Sequence, residues 1–95
     1  MIFWPWGLYR VAGHSMLPTY GPGDTLLGWH WFARPQIGQV IVVRTPQGPL
    51  VKRVGHIEGD LVWLVGDNPG DSHDSRAFGT INRADIEALV IAKLG

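Results

Sequence analysis

A chain of 95 residues has room for one small domain with a modest hydrophobic core. Eight basic residues balance eight acidic ones, and no run of like charge marks a nucleic-acid surface or a charged tail. With no cysteine there is no disulfide, no thiolate metal site and no cysteine nucleophile, and an apolar content of 45% argues against disorder.

The opening Met1-Ile2-Phe3-Trp4-Pro5-Trp6-Gly7-Leu8-Tyr9 is apolar but short, lacks a basic start and is followed by Arg10, so it is a poor signal peptide. It reads either as a first strand with its lead-in, packed on the core, or as an aromatic surface that touches substrate or a membrane interface. No stretch of about 18 apolar residues follows that would span a membrane. Thirteen glycines and seven prolines divide the rest into short β-rich runs. Leu8–Gly13 is predicted as a strand leading into a sharp turn at Ser15. Gly21-Pro22-Gly23-Asp24 is a turn, and Thr25–Trp31 a second strand that would place Trp29 and Trp31 on one face. After a loop at Ala33–Gly38, Gln39–Arg44 is a strand by its β-branched content. Thr45–Pro49 is a hairpin turn, Leu50–Ile57 the returning strand, Glu58-Gly59-Asp60 a tight turn and Leu61–Val65 a further strand. Gly66–Gly79 is a polar loop. Asn82–Leu94 is ambiguous: it begins like a capped helix, but Leu89-Val90-Ile91 favours a strand.

Chemistry enters with Ser15 and Lys52. Only three serines (Ser15, Ser72, Ser75) and two lysines (Lys52, Lys93) are present, and Lys93 lies two residues from the C-terminus. A serine nucleophile needs a base, and a lysine serves only if burial holds it neutral. Lys52 lies in the apolar run Leu50-Val51-Lys52-Arg53-Val54. Neutralising it near pH 7 means lowering its pKa by about three pH units, at a cost of about 4 kcal/mol. Desolvation supplies such a shift and a touching carboxylate opposes it, so no carboxylate is expected against the Lys52 amine.

Three blocks carry a resemblance: Ser15-Met16-Leu17-Pro18-Thr19-Tyr20 with Pro22-Gly23-Asp24; Val51-Lys52-Arg53-Val54 with Gly59-Asp60; and Gly66-Asp67-Asn68 with Ser72-His73-Asp74-Ser75-Arg76 and Phe78-Gly79. In order and spacing they resemble the catalytic core of the type I signal peptidases, within the serine-lysine peptidase superfamily that includes the LexA-type repressors. The resemblance implies a mostly β fold, a small coiled β barrel forming one domain over residues 1–95. It implies Ser15 as nucleophile, with its backbone N–H an oxyanion donor, and Lys52 as general base. Ser72 would orient that base, Asp74 and Arg76 would form a supporting ion pair, and Asp67 and Asn68 would pack behind the lysine. Gly13 stands where many relatives carry a hydroxyl residue that donates a second hydrogen bond to the oxyanion.

The implied reaction is removal of an N-terminal leader from a precursor protein. Short length without an anchor is similar to the small maturation peptidases associated with nickel-type superoxide dismutase, which implies a cytoplasmic enzyme with no cofactor, no metal and no nucleic-acid partner. The alternatives are a membrane-associated signal peptidase acting on secreted preproteins, in peripheral contact with the membrane through its N-terminal aromatics, and a non-catalytic peptide-binding module of the same fold. His14, His30, His56 and His73 suggest neither a triad nor a metal site, since no H-x3-H or HExxH spacing occurs.

Overall fold

The β-branched run after Gln39 becomes the central feature of a computed structural model that describes residues 4–70 and 80–95. Val40, Ile41, Val42 and Val43 are all buried in strand β3 (Val40–Thr45). Six further strands flank it in sequence: β1 (Trp6–Arg10), β2 (Thr25–Trp29), β4 (Gly48–Glu58), β5 (Leu61–Val65), β6 (Ile81–Asn82) and β7 (Ile86–Lys93). They form one antiparallel sheet in the order β1-β2-β7-β3-β4-β5-β6, with β1 and β6 as its edges. The mostly β expectation therefore holds, in the form of a single sheet of seven strands among the described residues.

The turns follow their residues. Pro46 and Gln47 close the β3–β4 hairpin, where Thr45 Oγ1 donates to the Gly48 carbonyl at 2.6 Å and Gly48 takes a φ of 111° that suits only glycine. Gly59-Asp60 joins β4 to β5, with Glu58 facing Leu61. The ambiguous C-terminal segment splits. Asn82 caps only a single 3-10 turn, Arg83–Asp85, by accepting from the Ala84 N–H at 2.8 Å. From Ile86 onward the apolar, partly β-branched run fills the slot between β2 and β3, where both neighbours offer backbone partners. Two strand boundaries also move: the first strand lies at Trp6–Arg10 instead of Leu8–Gly13, and the second stops at Trp29.

The main core cluster is Ile41, Val43, Val54, Val62, Leu64 and Ile86, with Phe32, Ile57, Ile81 and Leu89 packed against it. Each such side chain contributes about 1.5–3 kcal/mol by leaving water. At the other end of the sheet, edge strand β1 is pinned across β2. Tyr9 donates its hydroxyl to Glu87 on β7, and His30 Nδ1 lies 2.9 Å from the Glu87 carbonyl oxygen. Burial and the neighbouring Glu87 carboxylate push the Tyr9 hydroxyl pKa upward. Gly7 and Gly28 face each other across β1 and β2; a Cβ on Gly7 would collide with the His30 ring at 2.6 Å, and one on Gly28 with the Tyr9 ring at 2.7 Å.

The outer face of β1 is aromatic and open. Trp6 packs edge-on against Trp29 with ring centroids 4.8 Å apart, and Trp29 against Trp31 at 6.1 Å. Trp4 is 70% exposed, Leu8 66% and Trp31 57%. Of the two readings of the aromatic start, the exposed surface is the one this geometry supports.

Candidate active site

Ser15 lies in the excursion of residues 11–24 that connects β1 to β2. A chain this long needs its own anchors, and it has them. At its base the Val11 N–H donates to the Asp24 carbonyl and the Gly23 N–H to the Val11 carbonyl, both at 2.9 Å. Asp24 Oδ2 accepts from the Gly21 N–H at 2.8 Å. At the crest, Met16 is buried to 1% exposure directly after half-buried Ser15. The Leu17 N–H donates to the His14 carbonyl at 3.2 Å and the Tyr20 N–H to the Met16 carbonyl at 2.9 Å. Gly13 has a φ of 78°, and no atom of the described residues lies within 4 Å of where a Cβ would project. Any side chain there would meet backbone strain of about 1–2 kcal/mol, which accounts for glycine at this position.

Lys52 is 2% exposed and is the one buried charged residue among those described. It stands opposite Ile41 in the β3–β4 ladder, and Val54 follows two positions on, so its side chain shares the core face of the sheet. A charge in that setting is costly and needs a reason. Among the described residues no buried side-chain nitrogen or oxygen lacks a partner.

The segment after β5 connects the two places. Arg53 pairs with Val65, so continuing that register brings Gly66 alongside Lys52. Gly66 also abuts the Ser15 turn: a Cβ built on it would come 2.6 Å from the Ser15 carbonyl oxygen. Ser15 backbone and Lys52 strand therefore meet across one residue. The next two residues fasten the turn. The Asn68 N–H donates to the Ser15 carbonyl at 2.9 Å, and Asn68 Nδ2 to the His14 carbonyl at 3.0 Å. Asp67 Oδ2 accepts from Thr19 Oγ1 at 2.5 Å. Asp67 is itself gripped by Arg53, Nε to Oδ1 at 2.8 Å and Nη2 to Oδ2 at 2.7 Å, while Arg53 Nη1 reaches the Gly38 carbonyl at 2.7 Å.

That bidentate pair was not read from the sequence, although Arg53 and Asp67 both lie in the quoted blocks. Its signal was an arginine beside the lysine, facing away from the core by strand alternation. The Arg53 hydrogen bonds hold the Asp67 carboxyl below the usual carboxylate range, with Thr19 adding to the effect against the opposing pull of desolvation. A carboxyl whose folded pKa is depressed contributes stability above its unfolded value, about 3.9, and loses it as pH falls through the folded value. The side chains are 32% and 15% exposed, so solvent discounts the pair to about 1 kcal/mol. We expect Asp67→Asn to lower the urea midpoint near pH 7, and the gap to wild type to close as pH falls through the depressed Asp67 value. A gap that persists in acid would assign the loss to packing instead of charge.

Ser72, Asp74 and Arg76, together with His73, lie outside the described residues, as does the expected Asp74–Arg76 pair. The other histidines stand apart from Lys52 in role: His30 serves Glu87, His56 packs on Trp63 and meets Glu58 at 3.3 Å, and His14 offers its backbone carbonyl to the turn. Among the described residues no three of His, Asp or Glu converge as metal ligands.

The structure thus sets a serine on a pinned turn beside a strand that buries a lysine, in a chain that its relatives mark as a peptidase. More narrowly, the chain belongs to the signal peptidase family, peptidase S26, whose family model matches residues 1–64. Relatives include mitochondrial inner membrane protease subunit 2 of Mus musculus, 33% identical over 107 aligned positions that cover 83% of this chain and 61% of the mouse protein. Mitochondrial ATP-independent inner membrane protease subunit 1a of Arabidopsis thaliana is 32% identical, covering 90% of this chain and 68% of its own. The subunit 2 protein of Danio rerio is 33% identical, with 77% and 55% covered. The chain thus spans between about half and two thirds of the length of these relatives. No helix among the described residues is long and apolar enough to cross a membrane.

Proposed function

We propose that this protein is a serine endopeptidase that removes N-terminal leaders from precursor proteins, with Ser15 as nucleophile and Lys52 as general base. The observation that carries the proposal is the burial of Lys52 one residue across from the fastened Ser15 turn. Ser15 Oγ attacks the scissile carbonyl carbon and its proton passes to Lys52 Nζ. The oxyanion takes the Ser15 backbone N–H. The C–N bond then breaks, and Lys52 returns the proton to the departing amine. A water molecule, deprotonated by Lys52, hydrolyses the ester and regenerates Ser15. Ser72 would orient the Lys52 amine, and Asp74 with Arg76 would brace the loop that carries it. The substrate is an extended segment beside the site, with small side chains before the cut, as the family implies.

Membrane-held precursors are the substrates we favour over a cytoplasmic one, because the relatives are named as inner membrane proteases and because of the aromatic face on β1. Trp4, Trp6 and Leu8 present exposed apolar surface, and Arg10 extends the face of Trp6 and Leu8 with a cation suited to anionic headgroups. We expect the protein to partition onto vesicles containing anionic lipid with a blue shift in tryptophan emission. Replacing Trp4 and Trp6 together by serine should weaken partitioning at least tenfold, roughly, by loss of apolar burial. Wild type that ignores such vesicles would remove the membrane role and return the cytoplasmic maturation reading, of which a nickel-type superoxide dismutase precursor is one instance. Incubation with leader-bearing precursors of both kinds, followed by intact mass, tests the reaction itself: a single defined cut supports it, and intact precursor throughout leaves the peptide-binding module.

A further inference from the structure

Among the described residues Asn68 makes three hydrogen bonds, and two of them fasten consecutive carbonyls of the Ser15 turn. Its N–H donates to the Ser15 carbonyl at 2.9 Å, and its Nδ2 donates to the His14 carbonyl at 3.0 Å. Its Oδ1 accepts from the Gly70 N–H at 3.1 Å. The side chain is thus read chemically at both ends: an acceptor must face Gly70 and a donor must face His14, which an amide satisfies and a carboxylate does not. The His14 carbonyl is already the acceptor for the Leu17 N–H at 3.2 Å, the bond that closes the turn around Ser15. One residue therefore bears on both peptide units that flank Ser15, its side chain through the His14 carbonyl and its backbone N–H through the Ser15 carbonyl. Its own position is set by Asp67 and Arg53, the residue next to Lys52.

We infer that Asn68 is a positioning residue for the nucleophile, acting through the His14 carbonyl to fix where Ser15 Oγ and the Ser15 N–H stand relative to Lys52. The inference rests on the serine-lysine reading above and assigns Asn68 to the serine, not to the lysine behind which the resemblance had put it. The Asn68 bonds run to the Ser15 turn and to Gly70, so its loss is expected to act on the chemical step.

The test uses the full chain with Asn68→Asp and Asn68→Ala beside wild type and Ser15→Ala, on a leader-bearing precursor. Asn68→Asp keeps the backbone bond and the Gly70 bond and sets an oxygen against the His14 carbonyl. We expect kcat to fall about 10- to 100-fold with KM unchanged, the scale of a small misplacement of reacting groups. The Asn68→Asp deficit relative to wild type should shrink as the new carboxyl is protonated and regains a donor, while the Asn68→Ala deficit should not vary with pH. Hydrogen exchange at the Leu17 amide needs no substrate and should quicken in both variants. Wild-type kcat in both variants, or an effect confined to KM, would overturn the inference. So would Leu17 exchange at the wild-type rate. Cleavage that survives Ser15→Ala would overturn the serine-lysine reading, and this inference with it, whereas loss in Ser15→Ala with full activity in the Asn68 variants overturns this inference alone.

Discussion

Lys52→Met should abolish cleavage while leaving the fold as stable as wild type or more so. Methionine matches the length of lysine, and position 52 is 2% exposed on the face that also holds Ile41 and Val54. The exchange keeps the volume and removes the cost of holding an ionisable amine out of water, which offsets the loss of the hydrogen bond that the amine makes. The activity loss should be on the order of 10⁴-fold or more, as for other members of an activated nucleophile pair, and Ser15→Ala should match it without the double variant being worse. The contrast between rate and stability is the informative part: a residue kept for the fold loses both, and a residue kept for chemistry loses only the first. Thermal melting and single-turnover cleavage measure the two sides. Retained activity in Lys52→Met would leave Ser15 without the base assigned to it.

Gly66→Ala should be the most damaging small substitution outside the two proposed catalytic positions. The added Cβ would stand 2.6 Å from the Ser15 carbonyl oxygen and 3.3 Å from Ser15 Cβ. The first is a backbone atom that no rotamer change can move, so the Ser15 turn and the end of β5 must separate. We expect about 1–3 kcal/mol of destabilisation from overpacking and a loss of about 10²-fold in kcat/KM from the displaced serine. Gly70→Ala is the matched comparison. Among the described residues its Cβ would meet only Asn68 Oδ1, at an ordinary 3.5 Å, and its N–H would remain available to that oxygen. Equal melting temperatures and rates for the two variants would show that the close approach at Gly66 yields without cost.

Much of this arrangement can be read from residue order alone. The β-branched run at Val40–Val43, the Pro46-Gln47 turn and the Gly59-Asp60 turn each specify local geometry through short-range chemistry, and the strands between them fell where the pattern put them. Lys52 was conspicuous because a lysine among Leu50, Val51 and Val54 violates the alternation expected of an exposed strand, and it is indeed buried. The C-terminal segment was harder to read because its determinants are distant. Asn82 signals a helix start, and only the unfilled slot between β2 and β3 makes β7 a strand. Asp67 and Asn68 were legible as a motif but not in their contacts, since neither Thr19 nor His14 is near them in sequence. The aromatic start was undecided for the same reason: whether Trp4 and Trp6 are covered depends on β1 being an edge strand, which no local pattern reveals.

The proposed acyl-enzyme is the central claim, and trapping it is the most direct measurement. Wild-type protein mixed with a leader-bearing precursor and quenched in acid within one turnover should carry the leader as an ester on Ser15, at the mass of the free leader less one water, located by peptide mapping. Ser15→Ala should show neither ester nor product, and Lys52→Met should accumulate neither. Product formed at the wild-type rate by Ser15→Ala, with no leader attached at position 15 of the wild type, would contradict the account.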